Sequence, residues 1–250
     1  MENLPHVSIL TPVFKRRKFI DLMLANIINF KYDKSKLEWF ILDSYGKDGD
    51  TCNPMLNAED CREIQKRIYP VKFKYSFLPN AMTIGEKRNY LSKNCSHKIM
   101  INMDSDDYYL PDYILYSVHT MKSSKKELVG SPQMIFYYPE EGKFSAINCP
   151  AFRQIHEATM CYTQKHFRRM GGYNKNSQGE GAKMIDNCNE DLFEKTDVRF
   201  CMICIVHNEN TINKDKFKTD LFEIENENLN HFEFVKNLFN DNKNKNNGEN

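Results

Sequence analysis

In the first 107 residues, four short apolar runs alternate with segments patterned at helical spacing. No other feature of the chain restricts its fold as much. His6-Val-Ser-Ile-Leu10 reads as a strand stopped by Thr11-Pro12, since proline fixes φ and donates no backbone hydrogen bond. Phe19, Leu22, Met23, Ile27 and Phe30 then recur on one helical face. A second strand, Leu37 to Leu42, ends in the polar loop Asp43 to Thr51, and a helix is expected from about Asn57. Val71 to Leu78 gives a third strand. Thr83-Ile-Gly-Glu86 is a capping box that opens a helix through Leu91. Lys98 to Met103 is a fourth strand, running straight into Asp104-Ser-Asp-Asp107.

Repeats of this kind predict an α/β fold, a parallel sheet covered by helices on both faces. Ligands of such sheets bind beyond the carboxyl ends of the strands. Each polar loop here follows a strand, so all of them are expected at one edge. The second half is less regular. Pro111 suits the first turn of a helix with Ile114, Leu115, Val118 and Met121 on one face. Leu128 to Tyr138 and Phe144 to Asn148 read as antiparallel strands. Thr163 caps a short helix ending at Gly171-Gly172, followed by a helix near Asp191 and a strand from Val198 to Val206. Helical spacing recurs from Lys214 to Phe239, and the Asn- and Lys-rich 240–250 segment reads as a disordered tail.

Charge excludes one class of partner. With 35 basic against 34 acidic side chains the net charge is +1, which argues against nucleic acid, whose phosphates need a basic face. No run approaches the roughly 20 apolar residues that span a bilayer. Met1 to Leu10 has no basic region before an apolar stretch, so no signal peptide is expected and a soluble, cytoplasmic protein is. Eight scattered cysteines suit reduced thiols in a cytosol-like compartment, and Cys201-x-x-Cys204 reads as buried structural thiols rather than half a metal site.

Asp104-Ser105-Asp106-Asp107 carries the chemistry. Three carboxylates in four residues repel one another unless a cation or a hydrogen-bonding ligand sits among them. In an extended segment Asp104 and Asp106 point the same way and reach one divalent metal, or a ribose and a metal. Hard oxygen ligands in an incomplete set suit Mg²⁺ or Mn²⁺, completed by phosphate and water. A solvated turn accounts for the same residues. Asp43 suits a base N–H, or a turn beside Gly46. Lys87 and Arg88 suit a diphosphate at a helix N-terminus, or a solvated basic face.

Together these motifs resemble glycosyltransferases of the family 2 type with the GT-A fold. Val7-Ser-Ile-Leu-Thr-Pro-Val-Phe14, Ile41 to Gly49, Gly85-Glu-Lys-Arg-Asn89 and Asn102 to Asp107 stand in the family's order. So do Phe167 to Tyr173, Asn189-Glu-Asp-Leu192 and Val206-His-Asn-Glu-Asn-Thr211. The resemblance implies a nucleoside-diphosphate-sugar donor, UDP by default, and a glycan, lipid-linked or protein hydroxyl acceptor. It also implies that Thr11, Pro12 and Asp43 line the base and ribose pocket. Asp104 would contact the ribose, and Asp106, with His207, would hold Mn²⁺ or Mg²⁺ on the diphosphate. Glu190-Asp191 matches the family's acidic pair, with Asp191 as general base, and a single base opposite the leaving group implies inversion. The chain departs from the pattern at Asp43-Ser44, where two acids are usual.

Each residue also has an ordinary reading. Asn189-Glu190-Asp191 is good helix-capping sequence, His207 suits a hydrogen-bonded structural histidine, and Arg168 and Arg169 suit a surface face. Tyr108, Tyr109, Tyr113, Tyr137 and Tyr138 suit packing as well as sugar stacking. The expected organisation is one GT-A domain over 1–235. It comprises a nucleotide-sugar half (1–107), an acceptor and catalytic half (108–212) and a C-terminal helical segment (213–239). Competing functions are a Mg²⁺-dependent nucleotidyltransferase or phosphohydrolase, or a non-catalytic nucleotide-sugar or glycan binder. The missing Gly-rich loop after the first strand counts against the nucleotidyltransferase.

Overall fold

Strand β1, Val7–Val13, is buried along its whole length. It pairs in parallel with β2 (Leu37–Tyr45) on one side and β4 (Ile99–Asn102) on the other. The computed structural model describes residues 4–46, 50–148, 155–185, 193–223 and 235. Its large sheet adds β3 (Lys72–Ala81) beyond β2, then β9 (Cys161–Thr163), β6 (Leu128–Gly130) and β10 (Phe193–Lys195) beyond β4. Six strands run the same way, and β9 alone among the described strands runs against them, between β4 and β6.

The two-residue alternation of side chains sorts the core. Ile9 and Val13 of β1 and Trp39 and Ile41 of β2 face one cluster with α1 (Ile20–Asn29), α2 (Ala58–Ile68) and α4 (Tyr113–Ser124). Leu10, Phe40 and Leu42 face the opposite cluster with α3 (Ile84–Asn94), α5 (Gln164–Met170) and α6 (Ala182–Ile185). Helices therefore cover both faces, as the alternation predicts. A smaller sheet, in the order β5 (Tyr108–Tyr109), β11 (Met202–Ile205), β7 (Gln133–Tyr138), β8 (Lys143–Asn148), carries the expected β7–β8 antiparallel pair. No described helix is long and apolar enough to cross a membrane.

Besides the helix expected near Asp191, where Phe193–Lys195 is strand β10 and 186–192 lie outside the described residues, four expectations change. First, β1 continues through Thr11-Pro12 to Val13. The Leu10 carbonyl accepts from Met103 N, so the polar groups of Leu10, and of Pro12 two residues on, face β4. β4 pairs only as far as Leu10, so proline deprives the ladder of no bond there. Second, 128–138 is two strands in different sheets, broken at Ser131-Pro132. A side chain at Gly130 would meet Ile155 Cγ2 at 2.2 Å. Third, Val198–Phe200 is a 3₁₀ turn capped by Asp197, and only Met202–Ile205 is strand. Fourth, 215–223 is no continuous helix. A single turn, Asp215–Phe217, leads to Phe222, which exchanges two backbone hydrogen bonds with Phe144. The rest of the expected helix, except buried Val235, and the 240–250 tail lie outside the described residues. Cys201 and Cys204 are free and buried, as expected of packing thiols.

Candidate active site

The loops that follow β1, β2, β3 and β4 meet at one edge of the sheet around a cleft of about 310 Å³. Pro12, Val13 and Phe14 come from the end of β1, Gly46 and Asp50 from the loop after β2, and Met82 and Ile84 from the turn into α3. Asp104, Ser105 and Asp106 follow β4. The predicted gathering of polar loops at the carboxyl ends of the strands is what the structure contains.

The acidic cluster separates into three environments. Asp106 Oδ2 lies 3.1 Å from His207 Nε2 and 3.5 Å from Arg16 Nε. The Glu209 amide donates to His207 Nδ1 (3.2 Å), and Nε2 faces Asn210 Nδ2 at 2.9 Å as well as Asp106. Burial works to raise the Asp106 pKa, but the His207 hydrogen bond and the charges of Arg16 and Lys214 outweigh it and hold the carboxyl well below the carboxylate range. Asp104 Oδ1 accepts from Arg88 Nη2 at 2.7 Å, and its amide donates to Tyr109 Oη at 2.8 Å. Asp107 turns inward and accepts from Ile205 N at 3.0 Å. Burial and the neighbouring carboxylates push its pKa up against the pull of Lys214. Buried Asn26 of α1 braces this turn, donating to Asp107 O and accepting from Tyr109 N.

The other expected residues divide. Pro12 lines the cleft, whereas Thr11 is fully buried and accepts from Trp39 Nε1 at 3.0 Å, a packing role. Asp43 is buried at the end of β2, where its Oδ2 accepts from Met55 N and Tyr75 Oη, both at 2.8 Å. Its Oδ1 is buried without a partner among the described residues. Burial raises the Asp43 pKa against these hydrogen bonds and the charge of Lys87.

The capping box forms as read, with Thr83 Oγ1 accepting from Glu86 N and Glu86 Oε2 from Thr83 N. It presents Lys87 and Arg88 to the cleft wall, not to solvent; they are 3% and 2% exposed. Lys87 donates to Val13 O, and burial, opposed by Asp43, brings its pKa down to about 8. Gly171-Gly172-Tyr173 is a docking element. Both glycines have positive φ, a side chain at Gly172 would meet Asn89 Oδ1 at 2.3 Å, and Tyr173 N donates to that oxygen. The five tyrosines are all buried and serve packing. Arg169 pairs with Glu127. Glu190 and Asp191 lie outside the described residues.

Arg16, Ser177 and Glu180 escape the sequence reading, whereas Thr211, on the cleft wall, closes the Val206–Thr211 motif. Four consecutive basic residues directly after the first strand were the available signal for Arg16. Ser177 and Glu180 stand in polar stretches with no local signal. Among the described residues no three His, Cys, Asp or Glu side chains converge closely enough to hold a metal unaided. Asp106 and His207 touch, while Asp104 is engaged by Arg88. The donor set, one ionised carboxylate and one imidazole, fits a divalent ion whose remaining ligands are phosphate and water.

The two-sided, mostly parallel α/β sheet is that of GT-A glycosyltransferases, as solved structures show. A crystal structure of S. aureus TarS residues 1–349 with UDP-GlcNAc superposes with a TM-score of 0.61 at 14% identity, covering 82% of this chain and 60% of that one. The mannosyltransferase PcManGT of Pyrobaculum calidifontis, in complex with GDP-Man and Mn²⁺, gives 0.60 at 14% identity, covering 82% and 57%. At such identities the likeness establishes the fold. The chain belongs to glycosyl transferase family 2, whose sequence model matches residues 8–184. An uncharacterized glycosyltransferase of Haemophilus influenzae is 30% identical over 116 residues, 46% of this chain and 32% of that protein. The chain thus spans about a third of that relative's length and up to 60% of the TarS fragment's.

Proposed function

We propose that the chain transfers a glycosyl group from a nucleoside-diphosphate sugar to a hydroxyl acceptor. Asp106, His207 and Arg16 together carry this reading: a carboxylate kept ionised, an imidazole and a guanidinium at the carboxyl edge of a nucleotide-binding sheet. Bound Mn²⁺ or Mg²⁺, held by Asp106 and His207, would supply a Lewis acid for the charge that develops on the departing diphosphate. Family membership and neighbours described with UDP, UDP-GlcNAc, and GDP-Man with Mn²⁺ support the same donor class. UDP is the default nucleotide.

The chain's own residues divide the work. Asp43, whose buried Oδ1 has no partner among the described residues, is assigned an N–H of the base. Asp104 and Ser105 offer acceptors and a donor to the ribose, and Pro12 forms the wall beneath it. Arg16 and Lys87, both on the cleft wall, would bring positive charge to the diphosphate. Asp191, with Glu190 beside it, is assigned the acceptor proton. A base opposite the leaving group makes the reaction inverting. Residues 1–107 form the nucleotide half and 108–212 the acceptor half of one domain. The free cysteines fit a reducing, cytosol-like compartment.

A thermal-shift screen of nucleotide sugars with and without Mn²⁺ tests the proposal. Metal-dependent stabilisation by at least one donor, lost in Asp106→Ala, is expected; no stabilisation by any donor would refute it. Asp191→Asn is expected to abolish transfer and spare donor binding. Normal turnover by that variant would remove Asp191 from the mechanism.

A further inference from the structure

Arg88 is the most enclosed cation at the site, and Asp104 does not have it to itself. Its Nη2 donates to Asp104 Oδ1 at 2.7 Å and its Nε to Glu180 Oε1 at 3.0 Å, while Nη1 is buried without a partner among the described residues. The Arg88 and Glu180 side chains are 3% and 7% exposed, and that of Asp104, facing the cleft, is 26% exposed. One guanidinium thus serves two carboxylates, and the trio carries one net negative charge. From this geometry we infer that Glu180 is a positioning residue for Asp104, acting through Arg88. The inference rests on the donor-binding role proposed above for Asp104.

Two physical effects follow from the sharing. Glu180 fixes the Nε edge of Arg88, so that Nη2 meets Asp104 from one direction and Asp104 keeps its second oxygen for the cleft. Glu180 also draws on the cation's charge, so Asp104 is not fully neutralised and remains an acceptor for a ribose hydroxyl or a metal-bound ligand. A lone Arg88–Asp104 pair would be neutral and a weaker partner for either.

Glu180 is held in place by a docked loop. Glu180 O accepts from Asn174 N at 2.9 Å, and Asn176 O accepts from Gly85 N, in the first turn of α3, at 2.9 Å. Ser177 Oγ, on the cleft wall, accepts from Ile84 N at 3.3 Å. Gly179 takes a positive φ of 62°, and at Gly181 a Cβ would come within 2.3 Å of Glu157 Cγ. The loop therefore fits closely between α3 and the 157–159 turn, and it delivers Glu180 to Arg88 from 92 residues along the chain.

Two measurements test the inference. The first is a double-mutant cycle on ligand-free protein with Glu180→Gln, Asp104→Asn and the combination, read by urea unfolding. Because both carboxylates draw on one guanidinium, their effects are expected to be non-additive by at least about fivefold in the unfolding constant. The second is a titration of Mn²⁺ with UDP or GDP. Glu180→Gln is expected to weaken binding by about tenfold, the scale of a lost supporting contact behind a ligand, and Glu180→Asp to recover it to within about threefold. Glu127→Gln removes a carboxylate from Lys165 and Arg169 at the far edge of the sheet and is expected to change binding by less than about twofold. Additivity in the cycle overturns the inference, and so does a folded Glu180→Gln protein that binds Mn²⁺ and nucleotide as the wild type does. If the wild type itself binds neither nucleotide, the donor-binding reading fails and the positioning role falls with it.

Discussion

Gly85→Ala should reverse the usual sign of a helical glycine substitution. Gly85 is the second residue of α3, and in an ordinary helix alanine is preferred there by about 1 kcal/mol. Here an ideal Cβ would stand 1.8 Å from Asn174 O, 3.0 Å from Asn174 C and 3.1 Å from Asn176 O. These are backbone atoms, so no rotamer change relieves the clash. For Asn174 O to reach even 3.0 Å from that Cβ, the loop must retreat by about 1.2 Å. Overpacking of this kind costs about 1–3 kcal/mol, and stretching the Gly85 N to Asn176 O bond costs about 1 more. With the propensity gain subtracted, a net destabilisation of about 1–3 kcal/mol is expected in urea unfolding. Donor binding should weaken as well, because the displaced loop carries Ser177 and Glu180. Unchanged or increased stability would refute the reasoning, since it would mean that the loop does not rest on α3.

Three further outcomes are expected. Burial holds His156 neutral, with its pKa brought down to about 4, against about 6.5 in the unfolded chain. This stabilisation is complete above pH 6.5 and is lost as pH falls through 4. His156→Asn should therefore flatten the acid limb of stability against pH by about 3 kcal/mol over that window. Glu38 is fully buried at the opposite edge, where it accepts from Ser8 Oγ (2.6 Å), Ser96 N (2.7 Å) and Ser96 Oγ (2.6 Å). Glu38→Gln should destabilise by about 2–4 kcal/mol in urea unfolding and leave nucleotide affinity unchanged. His207→Ala removes the hydrogen bond to Asp106; Mn²⁺-dependent stabilisation by nucleotide should weaken by at least about fivefold in a thermal-shift titration, with the ligand-free midpoint within a few degrees.

Much of the scaffold is legible from local pattern. The strands around Val7, Leu37, Val71 and Ile99 announce themselves by apolar runs, and the Thr83–Glu86 box marks the start of α3 to the residue. The edge that gathers the polar loops follows from the direction of the strands, so Asp104 and Asp106 could be placed in a site before their contacts were known. These features need only neighbours within a few residues, the range over which periodicity and capping act.

Tertiary structure decided whatever depends on partners distant in sequence. Proline is harmless at position 12 because β4 ends level with Leu10. The Leu128 to Tyr138 run divides at Ser131-Pro132, and its two strands enter different sheets. Lys87 and Arg88 carry the composition of a solvated face, yet they are buried because the 174–181 loop and the end of β1 close over them. The contacts that tune the acidic cluster are long-range: Arg16 and His207 reach Asp106 across 90 and 101 residues, and Glu180 reaches Arg88, the partner of Asp104, across 92. Composition alone says that acids and bases balance. Which acid keeps a free charge for a ligand is settled by where the folded chain brings each cation.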